Sequence, residues 1–489
     1  MNVRRTVRFY LNDVLVELDT IAPYQTLLDY LRLDRMMRGT KEGCAEGDCG
    51  ACTVLVGRLD RDDHLVYETI NACIRFVASL DGVHVVTIEH LAPQDAPLHP
   101  VQQAMVDNHG SQCGFCTPGF VMSLYGQWLQ NPKPSVPEVE QALQGNLCRC
   151  TGYSSIIKAA QTISHYANPA DDALMVHRAQ TIERLRALRD GARIEIEAPG
   201  HRVISPASSD DLAVVLESYP QAVLIAGATD VGLWVTKFMR SLPVVVFLNR
   251  VADMQTVAIA DGRIVLGAGV SFSDAAASLT EAIPQLEELW SRIGGVQIRN
   301  AGTVGGNIAN GSPIGDSPPT LIALGARITL RMGASRRELP LEDYFIDYGK
   351  QDRQPGEFIE TISVPIPDVG QEFRVYKVTK RFDEDISSVL GAFRLGIVDG
   401  RVADAVIAYG GMAATPKRAP SVEAALIGQP WTRDTVEAAM ARYADDFKPL
   451  SDWRASAGYR MLVARNLLLR FFIETRGGTV TSGRDLIDG

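Results

Sequence analysis

The sequence of 489 residues has no cysteine after residue 150. Cysteines used only for packing would be spread among the cores, and disulfides are rare in reducing compartments. Cysteines that cluster in one part of an intracellular chain favour metal or iron–sulfur ligation. All eight lie in the first third, at Cys44, Cys49, Cys52, Cys73, Cys113, Cys116, Cys148 and Cys150.

Long apolar runs and long basic runs are also missing. The longest apolar stretch, Leu242 to Leu248, has the length of a buried strand and not the ~18 residues that cross a bilayer. The basic start is followed by Asp13 and Glu17, where a signal peptide needs apolar residues. The formal net charge of −10 argues against a nucleic-acid partner. We therefore expect a cytoplasmic chain with neither a membrane nor a nucleic-acid partner.

The length and the periodicity of the chain predict a multidomain α+β protein. Residues 1–90 read as a small sheet with one helix, in which residues 3–20 form a hairpin that turns at Asn12 and Asp13. Residues 91–166 read as helical, and residues 167–200 as a solvated linker with one helix. Residues 201–370 and 371–489 read as two further α+β domains.

The first cysteine set is Cys44-x₄-Cys49-x₂-Cys52 with Cys73 further on, which is the spacing of plant-type [2Fe–2S] ligands. Glycines 39, 43, 47 and 50 let the loop wrap a bulky anionic cluster and direct backbone N–H groups towards it. A four-cysteine zinc site is the alternative, although zinc sites favour paired Cys-x₂-Cys motifs.

The second cysteine set combines Cys113-x₂-Cys116 with Cys148-x-Cys150. Spacing alone leaves zinc as a serious alternative here, because Cys-x₂-Cys is common in zinc sites. The plant-type set earlier in the chain favours a second [2Fe–2S] cluster.

With both sets in view, the first 165 residues resemble the iron–sulfur portion of the xanthine oxidase family of molybdenum hydroxylases. The resemblance rests on Gly-Cys-Ala-Glu-Gly-Asp-Cys-Gly-Ala-Cys-Thr, Gln-Cys-Gly-Phe-Cys-Thr-Pro-Gly and Cys-Arg-Cys-Thr-Gly-Tyr. It implies a β-grasp ferredoxin domain followed by a four-helix-bundle domain, whose cluster lies nearest the molybdopterin. By the same resemblance, Gln112 would face the pterin of a partner subunit.

The flavin region of the family is also similar to this chain, which implies an FAD-binding domain and a C-terminal flavoprotein domain. The similarity rests on two glycine-containing segments, residues 224–231 and residues 302–307. Neither segment fits the Gly-x-Gly-x-x-Gly fingerprint, so the predicted FAD fold is not a Rossmann fold. Taken alone, such glycines also occur at strand ends. The resemblance assigns to FAD Leu224, Ile225, Ala226, Gly227, Ala228, Thr229, Asp230, Val231, Ile293, Thr303, Gly306, Asn307, Asp316, Ile359 and Lys377.

Two further residues resemble family positions near NAD⁺, namely Tyr348 and Glu384. Glu384 lies in a loop that in the family influences whether NAD⁺ or O₂ is the acceptor. The sequence departs from the family pattern there, because Phe382 follows Arg381.

The resemblance implies an electron-transfer subunit with two [2Fe–2S] clusters and FAD. Its partner would be a large molybdopterin-binding subunit that oxidises a purine, in an α2β2 heterotetramer with NAD⁺ as acceptor. No catalytic residue is then expected in this chain. The alternatives are the same subunit of a sister enzyme acting on aldehydes or N-heterocycles, a zinc-stabilised flavoprotein without redox function, and a free-standing diaphorase.

Overall fold

The computed structural model describes residues 2–92 and 96–480. These residues form two compact units. The first runs to Thr256 and includes Ser271–Asp274 and Gly294–Thr303; the second comprises Val257–Val270, Ala275–Ile293 and the residues from Val304 onward. Within the described residues, no helix is long and apolar enough to span a membrane.

The first domain is a five-stranded mixed sheet in the order Val14–Leu18, Val7–Leu11, His84–Val86, Thr53–Leu59 and Leu65–Asn71. Val7–Leu11 pairs antiparallel with Val14–Leu18 across a turn at Asn12 and Asp13, which confirms that hairpin. It pairs in parallel with His84–Val86. The helix Leu27–Asp29 continues as the π-helix Tyr30–Asp34. This sheet with one main helix confirms the predicted β-grasp fold.

The predicted helical bundle is also confirmed. Two of its helices begin with capping boxes that satisfy their first backbone N–H groups, formed by His99 with Gln102 and by Ser135 with Glu138. The helix Ile88–Leu91 precedes the bundle. The four helices of the bundle are Pro100–Asp107, Thr117–Gln130, Val136–Ala142 and Ser154–Thr162.

The interval 167–200 differs from the solvated linker that its sequence predicts. It contains the helices Ala173–Val176 and Arg178–Leu188, and the strand Arg193–Ala198. This strand pairs with His201–Ser205 and in parallel with Val3–Arg4, which therefore lies outside the predicted hairpin. The physical reason is burial, because Ile194 and Ile196 alternate with charged residues and face a core.

The sheet that contains this strand completes the first unit. Its order is Val3–Arg4, Arg193–Ala198, His201–Ser205, Val244–Phe247 and Val223–Ile225. The helices of this region are Ser209–Ser218, Val231–Thr236 and Val296–Ala301.

One strand of the β-grasp sheet contributes to two cores. Val54 and Val56 of Thr53–Leu59 pack in a core that also holds Phe247 of the second sheet. Leu55 and Leu59 point to the other face and join Phe120, Leu124 and Trp128 of the helical bundle. Because side chains alternate along a strand, this single strand fixes the bundle and the second sheet to the same scaffold.

The second unit contains an antiparallel sheet in the order Val257–Ala260, Arg263–Gly267, Phe358–Pro365, Arg327–Met332 and Ser335–Pro340. A two-stranded ribbon pairs Phe345–Asp347 with Lys350–Gln351. The associated helices are Glu287–Ser291, Val304–Asn310 and Ser317–Leu324, and the helix Phe272–Ala282 has residues in both units.

The C-terminal part of the second unit is a four-stranded antiparallel sheet with helices. Its strands are Gln371–Val378, Val389–Val398, Arg401–Gly410 and Lys417–Arg418. Its helices are Pro420–Leu426, Arg433–Met440, Tyr443–Asp446 and Ala457–Thr475. Short 3₁₀ helices lie at Val77–Ser79, Ile163–His165, Pro169–Asp171, Ala252–Met254, Pro284–Leu286 and Leu341–Tyr344.

An ion-pair network joins three parts of the first unit around a carboxylate that is almost fully buried. Asp81 accepts two hydrogen bonds from the Arg4 guanidinium, at 2.7 and 2.8 Å, and lies 3.0 Å from Arg250 Nε. Asp190 pairs with Arg4 at 2.8 Å and with Arg8 at 2.7 Å. Burial opposes ionisation of Asp190, but the Ala192 N–H and the arginines lower its pKa. The network therefore links the β-grasp sheet, the segment before the second sheet and Arg250.

We expect Asp81→Asn to destabilise the chain by about 3 kcal/mol, the lower end for breaking a buried pair, because Asp190 then remains to balance both Arg4 and Arg250. The midpoint of urea unfolding measures this change. Asp62→Asn is the matched control, since the Asp62 side chain is 66% exposed. Equal midpoints for the two variants would show that the network contributes little.

Candidate functional site

The first cysteine loop lies between the π-helix Tyr30–Asp34 and the strand Thr53–Leu59, and Cys73 follows Leu65–Asn71. Cys44 Sγ accepts hydrogen bonds from the N–H groups of Cys49 and Glu46, at 3.4 and 3.5 Å. Cys52 and Cys73 are buried, whereas Cys44 and Cys49 are half-buried. The loop thus presents thiols together with inward-facing backbone donors.

The second cysteine set stands in front of two bundle helices, Thr117–Gln130 and Ser154–Thr162. Thr151 Oγ1 donates to Cys148 Sγ at 3.2 Å, and the Cys148 N–H donates to the Tyr153 hydroxyl at 2.9 Å. Cys113 and Cys150 are exposed, as is Gln112. This set therefore opens to the surface.

Contacts between thiols show which cysteines the structure brings together in each set. Hydrogen bonds from the Cys49 and Cys73 thiols hold the pKa of Cys44 well below its usual value. Cys73 also contacts Cys52. In the second set, Cys113 contacts Cys150 and Cys116 contacts Cys148. The structure therefore brings together all four predicted ligands of each set.

A single tetrahedral zinc ion would need four sulfurs at about 3.8 Å from one another, given Zn–S bonds of about 2.3 Å. Among the residues that the structure describes, only Asp60, Asp62 and His64 place three ligand atoms all within 4.8 Å of one another. Neither cysteine set does so. A two-iron cluster divides its four thiolates between two metal ions and does not need three sulfurs this close together, so both sets are compatible with [2Fe–2S].

The two cysteine loops meet through backbone atoms. A Cβ on Gly50 would lie 2.0 Å from the Gly145 carbonyl oxygen, and one on Gly119 would lie 2.2 Å from the Gly50 carbonyl oxygen. The Leu147 N–H donates to the Cys49 carbonyl oxygen at 3.0 Å. A ligand of the first set and the residue next to Cys148 are thus joined by one hydrogen bond.

In the first unit, the segment 224–231 connects the strand Val223–Ile225 to the helix Val231–Thr236. A Cβ on Gly227 would lie 1.9 Å from the Ala301 carbonyl oxygen, and Ala228 has a φ of 60°. Thr229 Oγ1 lies 3.4 Å from the position of a Cβ on Gly302. The structure therefore brings the predicted segment 224–231 against the residues before Thr303.

Asn249 was not predicted from the sequence and fits a ligand at this segment. Its Nδ2 donates to the Ala226 carbonyl oxygen at 3.0 Å. Its Oδ1 is buried and accepts no hydrogen bond from residues 2–92 or 96–480. An orphaned buried acceptor is unfavourable by about 1–3 kcal/mol, and a donor from a bound cofactor would remove that penalty. The only sequence signal is its position just after the buried strand Val244–Phe247.

The helix Val231–Thr236 docks on the first cysteine loop. Thr236 Oγ1 donates to the Ala45 carbonyl oxygen at 2.6 Å. Lys237 Nζ donates to the Cys44 carbonyl oxygen and lies 3.5 Å from a carboxylate oxygen of Glu46. The segment predicted to hold FAD is therefore covalently continuous with a helix end that contacts a predicted cluster ligand. Sequence reasoning missed both Thr236 and Lys237.

In the second unit, Asp316 and Lys377 form a buried ion pair, with side-chain exposures of 9% and 3%. Ser387 Oγ donates to Asp316 Oδ1 at 2.6 Å. Asn307 Oδ1 accepts a hydrogen bond from Ser317 at 2.7 Å. Of the other residues predicted for this unit, Ile359 is buried, Ile293 is half-buried and Gly306 is exposed.

The two residues predicted for NAD⁺ lie in different local settings of the second unit. Tyr348 follows the strand Phe345–Asp347 and is 74% exposed. Glu384 has a φ of 47°, and its carbonyl oxygen accepts a hydrogen bond from Arg381 Nη2 at 3.0 Å. Burial opposes ionisation of Asp385, but the N–H groups of Arg381 and Lys380 lower its pKa. The loop thus keeps a negative charge beside Arg381.

Sequence models of three protein families match the chain. They are the [2Fe-2S] binding domain over residues 87–161, the FAD binding domain in molybdopterin dehydrogenase over residues 196–367, and the CO dehydrogenase flavoprotein C-terminal domain over residues 374–475. These matches confirm the predicted fold class of iron–sulfur and flavin domains.

Similar curated proteins include the xanthine dehydrogenase of Emericella nidulans, which is 31% identical over 96% of this chain and 38% of that protein. Xanthine dehydrogenase 1 of Arabidopsis thaliana is 32% identical over 95% of this chain and 39% of that protein. The chain thus spans about two fifths of the length of the curated relatives it matches.

Two solved structures are similar in fold. Carbon monoxide dehydrogenase from Hydrogenophaga pseudoflava aligns with a TM-score of 0.53 and 26% identity over 56% of this chain and 96% of the other. Reconstituted CO dehydrogenase from Oligotropha carboxidovorans aligns with a TM-score of 0.51 and 26% identity over 54% and 94%.

We expect Gly119→Ala to reduce the iron content of the purified chain by at least about half, because a Cβ cannot fit at 2.2 Å from the Gly50 carbonyl oxygen and cores relax only partly. Iron per chain and the visible absorbance of the clusters measure this loss. Gly458→Ala is the matched control, since a Cβ there meets no atom within 4 Å. Full iron content in Gly119→Ala would contradict the proposed contact between the loops.

Proposed function

We propose that this chain, which belongs to the xanthine oxidase family of molybdenum hydroxylases with [2Fe–2S] and FAD domains, is the electron-transfer subunit of a xanthine dehydrogenase. It would accept electrons from xanthine or hypoxanthine oxidation at a molybdopterin centre on a large partner subunit and deliver them to NAD⁺. The expected assembly is an α2β2 heterotetramer in the cytoplasm.

The observation that carries this proposal is the continuity of the first unit. Two four-cysteine sets meet through the hydrogen bond from Leu147 to Cys49, and the Cys44 carbonyl oxygen accepts a hydrogen bond from Lys237 at the end of a helix. That helix begins at Val231, the last residue of the predicted FAD segment. When bound, the clusters supply one-electron carriers and FAD supplies a two-electron carrier that can reduce NAD⁺.

The exposure of the cysteines supports an order of the two sets along the electron-transfer path. Cys113 and Cys150 are exposed, whereas Cys52 and Cys73 are buried. An exposed set suits entry of electrons from a partner subunit, with Gln112 beside it. The first set, which lies against the helix of the FAD segment, suits transfer towards FAD.

The remaining residues have proposed roles in holding FAD and NAD⁺. Lys377, kept in place by Asp316, would stabilise negative charge on the reduced flavin, because a nearby cation favours an anionic form. Thr229, Thr303 and Asn249 would hydrogen-bond the phosphates or sugars of FAD. Tyr348 and the loop at Glu384 would lie near NAD⁺.

The main test is anaerobic purification of the chain with the polypeptides that accompany it, followed by addition of xanthine and NAD⁺. We expect NADH to form, measured by its near-ultraviolet absorbance, only when a molybdenum-containing polypeptide is present. If an aldehyde or another heterocycle reduces the complex and xanthine does not, the sister enzyme replaces xanthine dehydrogenase. NADH oxidation without any partner, and no reduction by any of these substrates, would favour a diaphorase.

A variant of one cluster ligand tests the proposed order of the two cysteine sets along the electron-transfer path. We expect Cys52→Ser to lower NADH formation by at least about tenfold while xanthine still bleaches the absorbance of the second cluster, since a missing thiolate removes a ligand of the first cluster only. Thr69→Ser, in the same sheet, is the control. Unchanged NADH formation in Cys52→Ser would contradict the proposed order.

A further inference from the structure

Four polar side chains are buried together where the two cysteine loops meet. We call them the junction cluster, and they are Thr53, Ser123, Asn146 and Gln297, each no more than 2% exposed. Buried polar groups of this kind are retained only where hydrogen bonds compensate their lost hydration. The cluster therefore has a specific arrangement and not merely a packing role.

Three of the four side chains are close in the chain to predicted cluster ligands. Thr53 follows Cys52, and Asn146 stands two residues before Cys148. Ser123 lies on the helix that begins directly after Cys116. Displacement of the backbone at any of these three residues would therefore also displace a loop that carries cluster ligands.

Gln297 comes from a different part of the sequence, the helix Val296–Ala301 of the flavin region. Its Nε2 donates to Asn146 Oδ1 at 3.0 Å and to Thr53 Oγ1 at 3.1 Å. The same Asn146 oxygen accepts a hydrogen bond from Ser123 Oγ at 2.7 Å. One amide group thus ties residues of both cysteine sets to the flavin region.

The other end of the Asn146 amide fixes the backbone between the loops. Asn146 Nδ2 donates to the Gly50 carbonyl oxygen at 3.2 Å, and Thr53 Oγ1 donates to the same oxygen at 2.7 Å. The next residue, Leu147, donates its N–H to Cys49. Holding Asn146 therefore also holds the hydrogen bond that joins the two ligand sets.

Gln297 is an unfavourable choice for stability alone. Its Oε1 is buried and accepts no hydrogen bond from any residue that the structure describes. Such an orphaned acceptor is unfavourable, and an apolar side chain of similar size would avoid the penalty. A methionine at this position would avoid the penalty but could not donate the hydrogen bonds that Gln297 makes.

We propose, on the premise of the proposed iron–sulfur function, that Gln297 is a positioning residue that sets the electronic coupling between the two clusters. It holds Asn146, and through Asn146 the contact of Leu147 with Cys49. The same Nε2 also donates weaker hydrogen bonds to the Gly145 carbonyl oxygen at 3.4 Å and to Ser123 Oγ at 3.5 Å. Loss of these hydrogen bonds would loosen the loop contact without removing any cluster ligand. The coupling between the clusters would then fall while their iron content remained.

The test compares Gln297→Met with wild type in the full chain, reduced with dithionite and frozen. We expect the magnetic splitting between the two reduced clusters in low-temperature electron paramagnetic resonance spectra to decrease, with iron, sulfide and FAD contents unchanged. Gln103→Met, at a half-buried helical glutamine bonded to Asp107, is the matched control and should leave the splitting unchanged. Ser123→Ala removes the hydrogen bond to Asn146 Oδ1 and the weaker one from Gln297 Nε2, and should decrease the splitting in the same direction.

The outcomes separate the positioning role from its premise. If both Gln297→Met and Ser123→Ala retain full iron and the wild-type splitting, the positioning role is wrong. If Gln297→Met loses a cluster, Ser123→Ala becomes the deciding variant. A decreased splitting in Ser123→Ala supports the positioning role, and the wild-type splitting with full iron contradicts it. A wild-type chain that contains zinc and no iron would instead overturn the iron–sulfur function, and the positioning role with it.

Discussion

The structure depends on a contact in which the two cysteine loops approach each other through the backbones of glycine residues. Gly50, Gly119 and Gly145 meet at distances that leave no room for a Cβ, so the loops approach through their backbones. A single close contact would not fix the relative position of two domains, because one contact cannot offset the conformational entropy that is lost when both loops are ordered. The strand Thr53–Leu59 supplies the remaining constraint, since its alternating side chains fill cores on both faces.

Charge completes the constraint within the first unit. The Asp81 network ties Val3–Arg4, a strand of the flavin-region sheet, and Arg250, which follows the strand Val244–Phe247, to the β-grasp sheet. A buried carboxylate with this many partners leaves few alternative arrangements, although buried ion pairs are not by themselves stabilising. The helix that ends at Thr236 and Lys237 then lies against the first cysteine loop. Geometry that suits electron transfer therefore follows from ordinary packing and pairing.

The grouping of the cysteines into two sets and the local elements could be predicted from the sequence because their signals are local. The spacing of Cys44, Cys49 and Cys52 indicates a plant-type cluster, and Asn12 with Asp13 indicates a turn between alternating strands. The strand Arg193–Ala198 also has alternating residues and a local partner in His201–Ser205, but its second partner, Val3–Arg4, is distant in the sequence and has no local signal. The domain boundaries, the cluster ligands and the individual FAD and NAD⁺ residues stay predictions.

The contacts of Asn249, Lys237 and Gln297 could not be predicted, because each depends on residues far away in the chain. Gln297 meets Thr53 and Asn146 only after three regions have folded together, and a lone glutamine on a short helix has no periodic signal. Pairing across such separations is decided by tertiary packing. A resemblance to a family likewise identifies motifs but not the side chains that join them.

The most direct test of the account is a crystal structure of the purified chain with anomalous diffraction measured on both sides of the iron absorption edge. We expect a pair of iron peaks within each cysteine set, one pair among Cys44, Cys49, Cys52 and Cys73 and the other among the four later cysteines. A single peak in each set that appears at the zinc edge and not at the iron edge would contradict the account.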